Sequence, residues 1–244
     1  MFSGKIEDYI LFEDKEIIVC RKPAGIAVQN ARIGAMDLES SLKNYLAMQD
    51  GGGRRIPYLA VIHRLDQPVE GILVFGKTPE AAKSLSAQIT AGKMEKIYLA
   101  VTYGKQAEAG KKEKVLEDYL KKDGKSNTSS VVNAHTPGAK KARLSYEVLG
   151  EAVDAISGKK KWLLRIHLDT GRHHQIRVQF ASRGLGLYGD TKYNSKFQKT
   201  KKKYTEIGLY STRISFNHPV TGERMTFKIE PSGEAFEKMD VEAF

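Results

Sequence analysis

The chain is poor in cysteine. Cys20 stands alone among 244 residues, so no internal disulfide forms and no thiolate cluster is available for zinc. That scarcity agrees with a reducing compartment. The first residues, Met1 to Lys15, scatter charges through the segment and lack the apolar run of a secretory leader. No stretch approaches the roughly 18 apolar residues that span a bilayer. His-Glu-x-x-His and Cys-x-x-Cys patterns are missing, as is any third ligand at a metal-site spacing. Neither an internal repeat nor a Pro/Gly/Ser-rich linker divides the sequence. A soluble, cytoplasmic protein without a membrane partner or metal is expected, with residues 1–244 forming one domain.

Hydrophobic residues make up 41% of the chain, enough for a packed core. Lys and Arg number 40 against 29 Asp and Glu, a net charge of +11. Such a field favours a polyanionic partner, nucleic acid or an acidic membrane surface.

Glu16 to Arg21 reads as a buried strand closed by Pro23 and Gly25. Leu38 to Gln49 has helical spacing, with Leu38, Leu42, Tyr45 and Leu46 on one stripe, Asp37 as N-cap and glycines 51–53 as the stop. Tyr58–Ile62 and Ile72–Phe75 are strand-like runs flanking His63-Arg64-Leu65-Asp66. Thr78-Pro79-Glu80 has the grammar of a helix start, and Gly92 of its end. Glu95–Tyr103 is strand-like, with Lys96, Tyr98 and Ala100 on its more polar side. Gly104 to Lys141 reads as strands joined by exposed Lys-rich loops. Lys161–Thr170 alternates as a strand. A short helix is expected over His173–Arg183, a hairpin over Gly208–Glu230, and a terminal helix over Glu234–Met239. Strands and helices mix without strict alternation, which suggests an α+β fold.

Three constellations carry candidate chemistry. Arg64 and Asp66 lie between two apolar strands, where a rigid scaffold presents side chains to a cleft; an Arg-x-Asp pair is also a common surface ion pair. Thr170-Gly171-Arg172-His173-His174-Gln175-Ile176-Arg177 breaks a strand at glycine and adds cationic forks suited to phosphate or carboxylate. Lys96-Ile97-Tyr98-Leu99-Ala100 offers a strand tyrosine able to stack on a base or simply to pack.

Together with Gly189-Asp190-Thr191-Lys192-Tyr193, these segments resemble, in order and spacing, the signatures of the RluA-type RNA pseudouridine synthases, with the likeness running from about residue 14 to 230. The resemblance implies a mixed, largely antiparallel central sheet with flanking helices and a central RNA-binding cleft, no cofactor, and isomerisation of a specific uridine in structured rRNA or tRNA. It implies catalytic roles for Asp66, Tyr98 and Arg177, with Arg177 pairing with Asp66. It places RNA contacts at His63, Arg64, Arg172, His174, Gln175, Lys192 and Lys196. Lys192, Lys196, Lys199, Lys201, Lys202 and Lys203 form one lysine cluster, and Lys111, Lys112, Lys114, Lys121, Lys122 and Lys125 a second; both are read as backbone contacts or as solvated surface. The chain departs from the family pattern at Val69-Glu70, where Thr-Ser is usual, at Gln179 in place of His and at Asn194 in place of Gly. The S4-type domain that precedes the catalytic domain of many relatives is not expected, and monomer is the default. Two alternatives stand beside this reading: a non-catalytic RNA-binding protein on the same fold, and a glycoside- or nucleoside-cleaving hydrolase using Asp66 and Glu70.

Overall fold

The helix signals translate into helices with their caps in place. Helix α1 spans Leu38–Gln49, and the Asp37 carboxylate accepts the Ser40 N–H at 2.7 Å. Helix α2 spans Pro79–Thr90, with the Thr78 hydroxyl accepting from Ala81 at 3.1 Å and proline in the first turn. Gly92, with φ +67°, follows its end. These helices belong to a computed structural model that describes residues 2–30, 36–51, 56–103, 113–154, 157–198 and 206–241. The chain divides into two compact units, residues 1–95 with 213–229, and residues 96–212 with 230–244.

In the first unit, strands β1 (Ile10–Glu13), β2 (Ile17–Lys22), β4 (Glu70–Gly76) and the end of β10 (Leu209–Asn217) lie in that order. Strand β3 (Ala60–Val61) pairs with β4, and β11 (Arg224–Lys228) pairs with β10. Both β2 and β4 are buried along nearly their whole length, so they read as continuous apolar runs rather than alternating ones. Ile17, Val19, Ile72, Val74, Ile214 and Phe216 pack with Ala81 and Leu85 of α2 in one core. At the end of β4 an added Cβ on Gly76 would meet the Ala82 backbone nitrogen at 2.9 Å, so glycine lets α2 sit close. The run expected at Tyr58–Ile62 pairs only at Ala60–Val61; Tyr58 is exposed.

In the second unit the order is β10, β5 (Glu95–Tyr103), β9 (Lys160–Leu168), β8 (Lys140–Val153), β6 (Lys114–Asp123) and β7 (Thr128–Val132), with all described pairings beyond β5 antiparallel. Strand β8 pairs with both β6 and β9, and its register against β9 slips between Val148 and Gly150. Helix α3 (Gln175–Ala181) lies against this sheet: Phe180 meets Tyr146 edge-to-face at 5.0 Å, and Val178 packs with Leu120 and Ala142. The helix starts two residues later than the spacing suggests. His174 takes a left-handed backbone, φ 53°, which ends the turn of Arg172 and His173 before the helix opens. The terminal helix shrinks to a 3-10 turn at Glu234–Phe236 because Glu237 is already extended. The fold is mixed α and β with a large, mostly antiparallel sheet and few helices. No described helix is long and apolar enough to cross a membrane.

Candidate active site

In the first unit, the segment between β3 and β4 carries His63 to Asp66. Leu65 is buried and anchors it, Arg64 is exposed, and Asp66 is half-buried. His63 stands under the strand, its Nε2 accepting the Val74 N–H at 3.4 Å. The Asp66 carbonyl accepts the Val69 N–H at 3.0 Å, which closes the turn into β4. The next peptide is held from below. Lys22, fully buried, donates to the carbonyls of Pro23 at 2.9 Å, Ile26 at 2.8 Å and Gln67 at 3.1 Å. Gln67 and Gly25 also exchange bonds, at 2.8 and 2.9 Å. The lysine thus ties the loop after β2 to the residue after Asp66. Burial pulls its pKa down to about 7, against the charges of Glu70 and Asp66, which pull it up. Glu70, the acid that replaces the family serine, begins β4 and lies 3.9 Å from the Arg21 guanidinium.

Lys22 escaped the sequence reading, which closed the strand at Arg21. Its signal is a cation that extends an apolar run directly into Pro-x-Gly.

In the second unit, Tyr98 sits in β5 opposite Ile166. The alternation put it on a polar side, yet every residue of β5 after Glu95 is buried, and Tyr98 is 5% exposed. A central strand is covered on both faces, so a period of two in polarity does not translate into exposure.

The Thr170–Arg177 turn is stitched from inside. The Gln175 side-chain oxygen accepts from the Thr170 hydroxyl at 2.7 Å and from the Arg172 N–H at 3.0 Å, and its amide donates to the Arg143 carbonyl at 3.1 Å. Gln175 is therefore turned into the turn, whereas Arg172 is exposed and donates its Nε to the Lys141 carbonyl at 2.7 Å. The rings of His173 and His174 stack at 3.7 Å. His173 shares a proton with the Ser129 hydroxyl at 2.8 Å, and His174 with the Tyr193 hydroxyl at 2.7 Å. Tyr193 also accepts the Ser129 N–H at 2.7 Å.

Arg177 is buried with a partner the sequence reading did not assign. Its Nε and Nη2 donate to Asp190 at 2.9 and 2.8 Å, and its guanidinium lies over the Tyr193 ring at 5.2 Å. Asp190 Oδ1 also accepts the backbone N–H groups of Lys192, at 2.9 Å, and Tyr193, at 3.1 Å. One carboxylate therefore folds the Gly-Asp-x-x-Tyr turn and neutralises Arg177. Asn194, which replaces the family glycine, donates to the carbonyls of Leu187 at 2.9 Å and Tyr103 at 3.2 Å. A Cβ on Gly186 would meet this side chain at 2.7 Å, so the asparagine is accommodated by a neighbouring glycine.

Lys192 donates to the Asn127 carbonyl at 2.9 Å, and exposed Lys196 lies over the Tyr103 ring at 5.4 Å. Lys121, Lys122 and Lys125 are exposed and Lys114 is half-buried. Lys111, Lys112, Lys199, Lys201, Lys202 and Lys203 lie outside the described residues. Among the described residues no group of three or more His, Cys, Asp or Glu is disposed to hold a metal.

Residues 16–182 match the profile of a family described as RNA pseudouridylate synthase. The chain is 30% identical over 234 residues to a ribosomal large subunit pseudouridine synthase D of Pseudomonas aeruginosa, covering 91% of this chain and 68% of that one. It is 29% identical over 228 residues to the protein of that name from Vibrio cholerae, covering 89% and 65%. The chain thus spans about two thirds of the length of these curated relatives. Among solved structures, human RNA pseudouridylate synthase domain containing 4 superposes with a TM-score of 0.71 over 95% of this chain and 92% of that one, at 20% identity, a likeness of fold.

Proposed function

The chain belongs to the RNA pseudouridylate synthase family, a family of RNA isomerases, and from that premise we propose that it converts a specific uridine of a structured ribosomal or transfer RNA to pseudouridine, with Asp66 as the catalytic carboxylate. The reaction breaks the N1–C1′ bond, turns the freed uracil within its pocket, and joins C5 to C1′. It needs neither redox change nor external energy. Its difficulty lies in activating C1′ and retaining a detached base.

The observation that carries the reading is the treatment of residue 66. Its main chain is fixed by the Val69 bond, and the adjoining peptide by Lys22 and Gly25, while the residue as a whole is only half-buried. A catalytic acid held on a rigid turn and not sealed in the core is suited to meet a sugar carbon. It acts either by attacking C1′ or by removing the C2′ proton to form a glycal. Tyr98 serves as the stacking surface for the uracil and assists loss of the C5 proton. Arg177 serves the charge of the catalytic carboxylate. Arg64, exposed two residues before Asp66, clamps the nucleotide that leaves its stack, a step costing about a few kcal/mol. Exposed Lys121, Lys122, Lys125 and Lys196 steer the RNA backbone.

The test is tritium release from RNA labelled at uridine C5, comparing the wild-type protein with Asp66→Asn, after pseudouridine mapping of total RNA with and without the gene identifies the substrate. Release by the wild type and none by the variant is expected. Binding without release by the wild type would favour the non-catalytic alternative. Free uracil among the products would favour the hydrolase.

A further inference from the structure

Lys96 heads the Lys-x-Tyr-x-Ala strand, and the mechanism above gives it no work. It is 6% exposed. Among the described residues no acceptor stands within hydrogen-bond or ion-pair distance of its ammonium group. The stem is buried, but the Nζ is not among the enclosed polar atoms that lack a partner, so the ammonium tip keeps access to solvent, as a charge without a protein acceptor must. The other deeply buried lysines of the chain do have acceptors: Lys22 has three carbonyls, and Lys161 has those of Glu234 and Ala235 at 3.2 and 3.0 Å. Burial holds the Lys96 pKa below the ordinary lysine value, and the charge of Asp169 pulls it partly back. Asp169 is itself occupied, by Arg143 at 2.6 Å and His167 at 3.1 Å.

The lysine tip has a defined neighbour. Its Nζ is the one heavy atom that a Cβ on Gly171 would approach, at 4.0 Å. The ammonium therefore lies beside the bare backbone of the Thr170–Gly171–Arg172 turn. A Cβ there would make only ordinary contact with the lysine, and Arg172, exposed on the same turn, adds a second positive charge. Lys96 also shares a strand face with Tyr98, two residues and about 6.6 Å along β5. An anion on the lysine would sit one nucleotide's reach from a base stacked on the tyrosine.

We propose that Lys96 and the Thr170–Gly171–Arg172 turn form a subsite for the backbone phosphate adjoining the target uridine, so that the ammonium finds in the substrate the acceptor the protein does not provide. This rests on the functional reading above and extends it to the register of the RNA strand. Lys96 is a binding residue in this account; it supplies a charge to the phosphate and takes no part in proton transfer.

The test is a binding experiment, separate from turnover. A short RNA hairpin with a single loop uridine is made with natural linkages, and with a neutral methylphosphonate on the 5′ or the 3′ side of that uridine. Fluorescence anisotropy measures its affinity from low to physiological salt. Lys96→Gln is expected to weaken the natural hairpin about tenfold and to flatten the salt slope by about 0.7, while Lys96→Arg retains most of the affinity. One of the two neutral linkages should weaken the wild type equally and leave Lys96→Gln indifferent. Equal losses for charged and neutral hairpins, or no loss at all, overturn the proposal. So does a wild type that fails to bind the hairpin at low salt. Should Lys96→Gln not fold, as judged by its melting curve, the wild type decides alone, and indifference to both neutral linkages refutes the subsite. The same series on Asp66→Asn separates the two claims: linkage-sensitive binding without isomerisation by the wild type would sink the catalytic reading and leave the phosphate subsite standing.

Discussion

Replacing Asp190 by asparagine removes one charge from the interior and little else. The aspartate Oδ1 accepts two backbone N–H groups, those of Lys192 and Tyr193, and an asparagine carbonyl can keep both. The other oxygen becomes an NH2 group facing the Arg177 Nε, a donor against a donor. Arg177 and Asp190 have side chains 5% and 0% exposed, so water cannot replace the lost carboxylate. Breaking a buried pair by removing one partner costs about 3–5 kcal/mol. In a chain of this size that lowers the melting temperature by about 6–20 °C. Urea unfolding followed through the single, buried Trp162 measures it directly. A second variant sharpens the argument. Adding Arg177→Met to Asp190→Asn removes the guanidinium that faces the new amide, so the double variant should regain more than about 1 kcal/mol over Asp190→Asn alone. Either a loss below about 1 kcal/mol for Asp190→Asn, or a double variant no more stable than that single one, would show that the pair is not what holds this turn together.

Lys22 predicts a pH dependence. Its pKa is about 7 when folded and 10.5 when free, so between those values the unfolded chain carries the extra proton and stability rises with pH, at most by about 1.4 kcal/mol per unit. Lys22→Met should lose that rise in a series of urea midpoints; parallel profiles for the two proteins would refute it. Asp37→Ala removes the acceptor of the Ser40 N–H at 2.7 Å and of the Asn30 N–H at 2.6 Å, and should cost about 1–2 kcal/mol, read as a fall in melting temperature of about 2–8 °C. Tyr193→Phe keeps the ring beneath Arg177 but strips the hydroxyl that serves Ser129 and His174. It should destabilise by about 1–3 kcal/mol, and an unchanged unfolding curve would show that these polar groups find other partners.

Elements with a local signature were legible. Helix α1 runs from Leu38 to Gln49 under its Asp37 cap, as its spacing indicates, and α2 opens at Thr78-Pro79. The β10–β11 hairpin turns after Asn217, as the Pro and Gly signals suggest. What escaped depended on distant neighbours. Strand β8 runs through 14 residues, Lys140–Val153, with an irregular burial pattern, because the strands beside it set its length rather than any pattern of its own. The backbone of His174 moved the start of α3; histidine is enriched among left-handed residues, but most histidines are not left-handed, so the residue type alone does not announce it. Asp190, a partner of Arg177, lies 13 residues on in the sequence, and no periodicity links the two. The motifs named the residues of the candidate site; their hydrogen-bond partners came only from the fold.

The interleaving of the two units also governs how the chain is made. The first unit is complete only when residues 213–229 join residues 1–95, so over a hundred intervening residues leave the ribosome before β10 arrives. At ordinary elongation rates of about 5–20 residues per second, strand β4 waits on the order of ten seconds with one edge unpaired. A strand as apolar as β4 is beyond Glu70, left in that state, is vulnerable to pairing with a neighbouring nascent chain. A gene cut short before residue 213 would make that vulnerability permanent, and its product should collect in inclusion bodies rather than survive as a smaller folded piece.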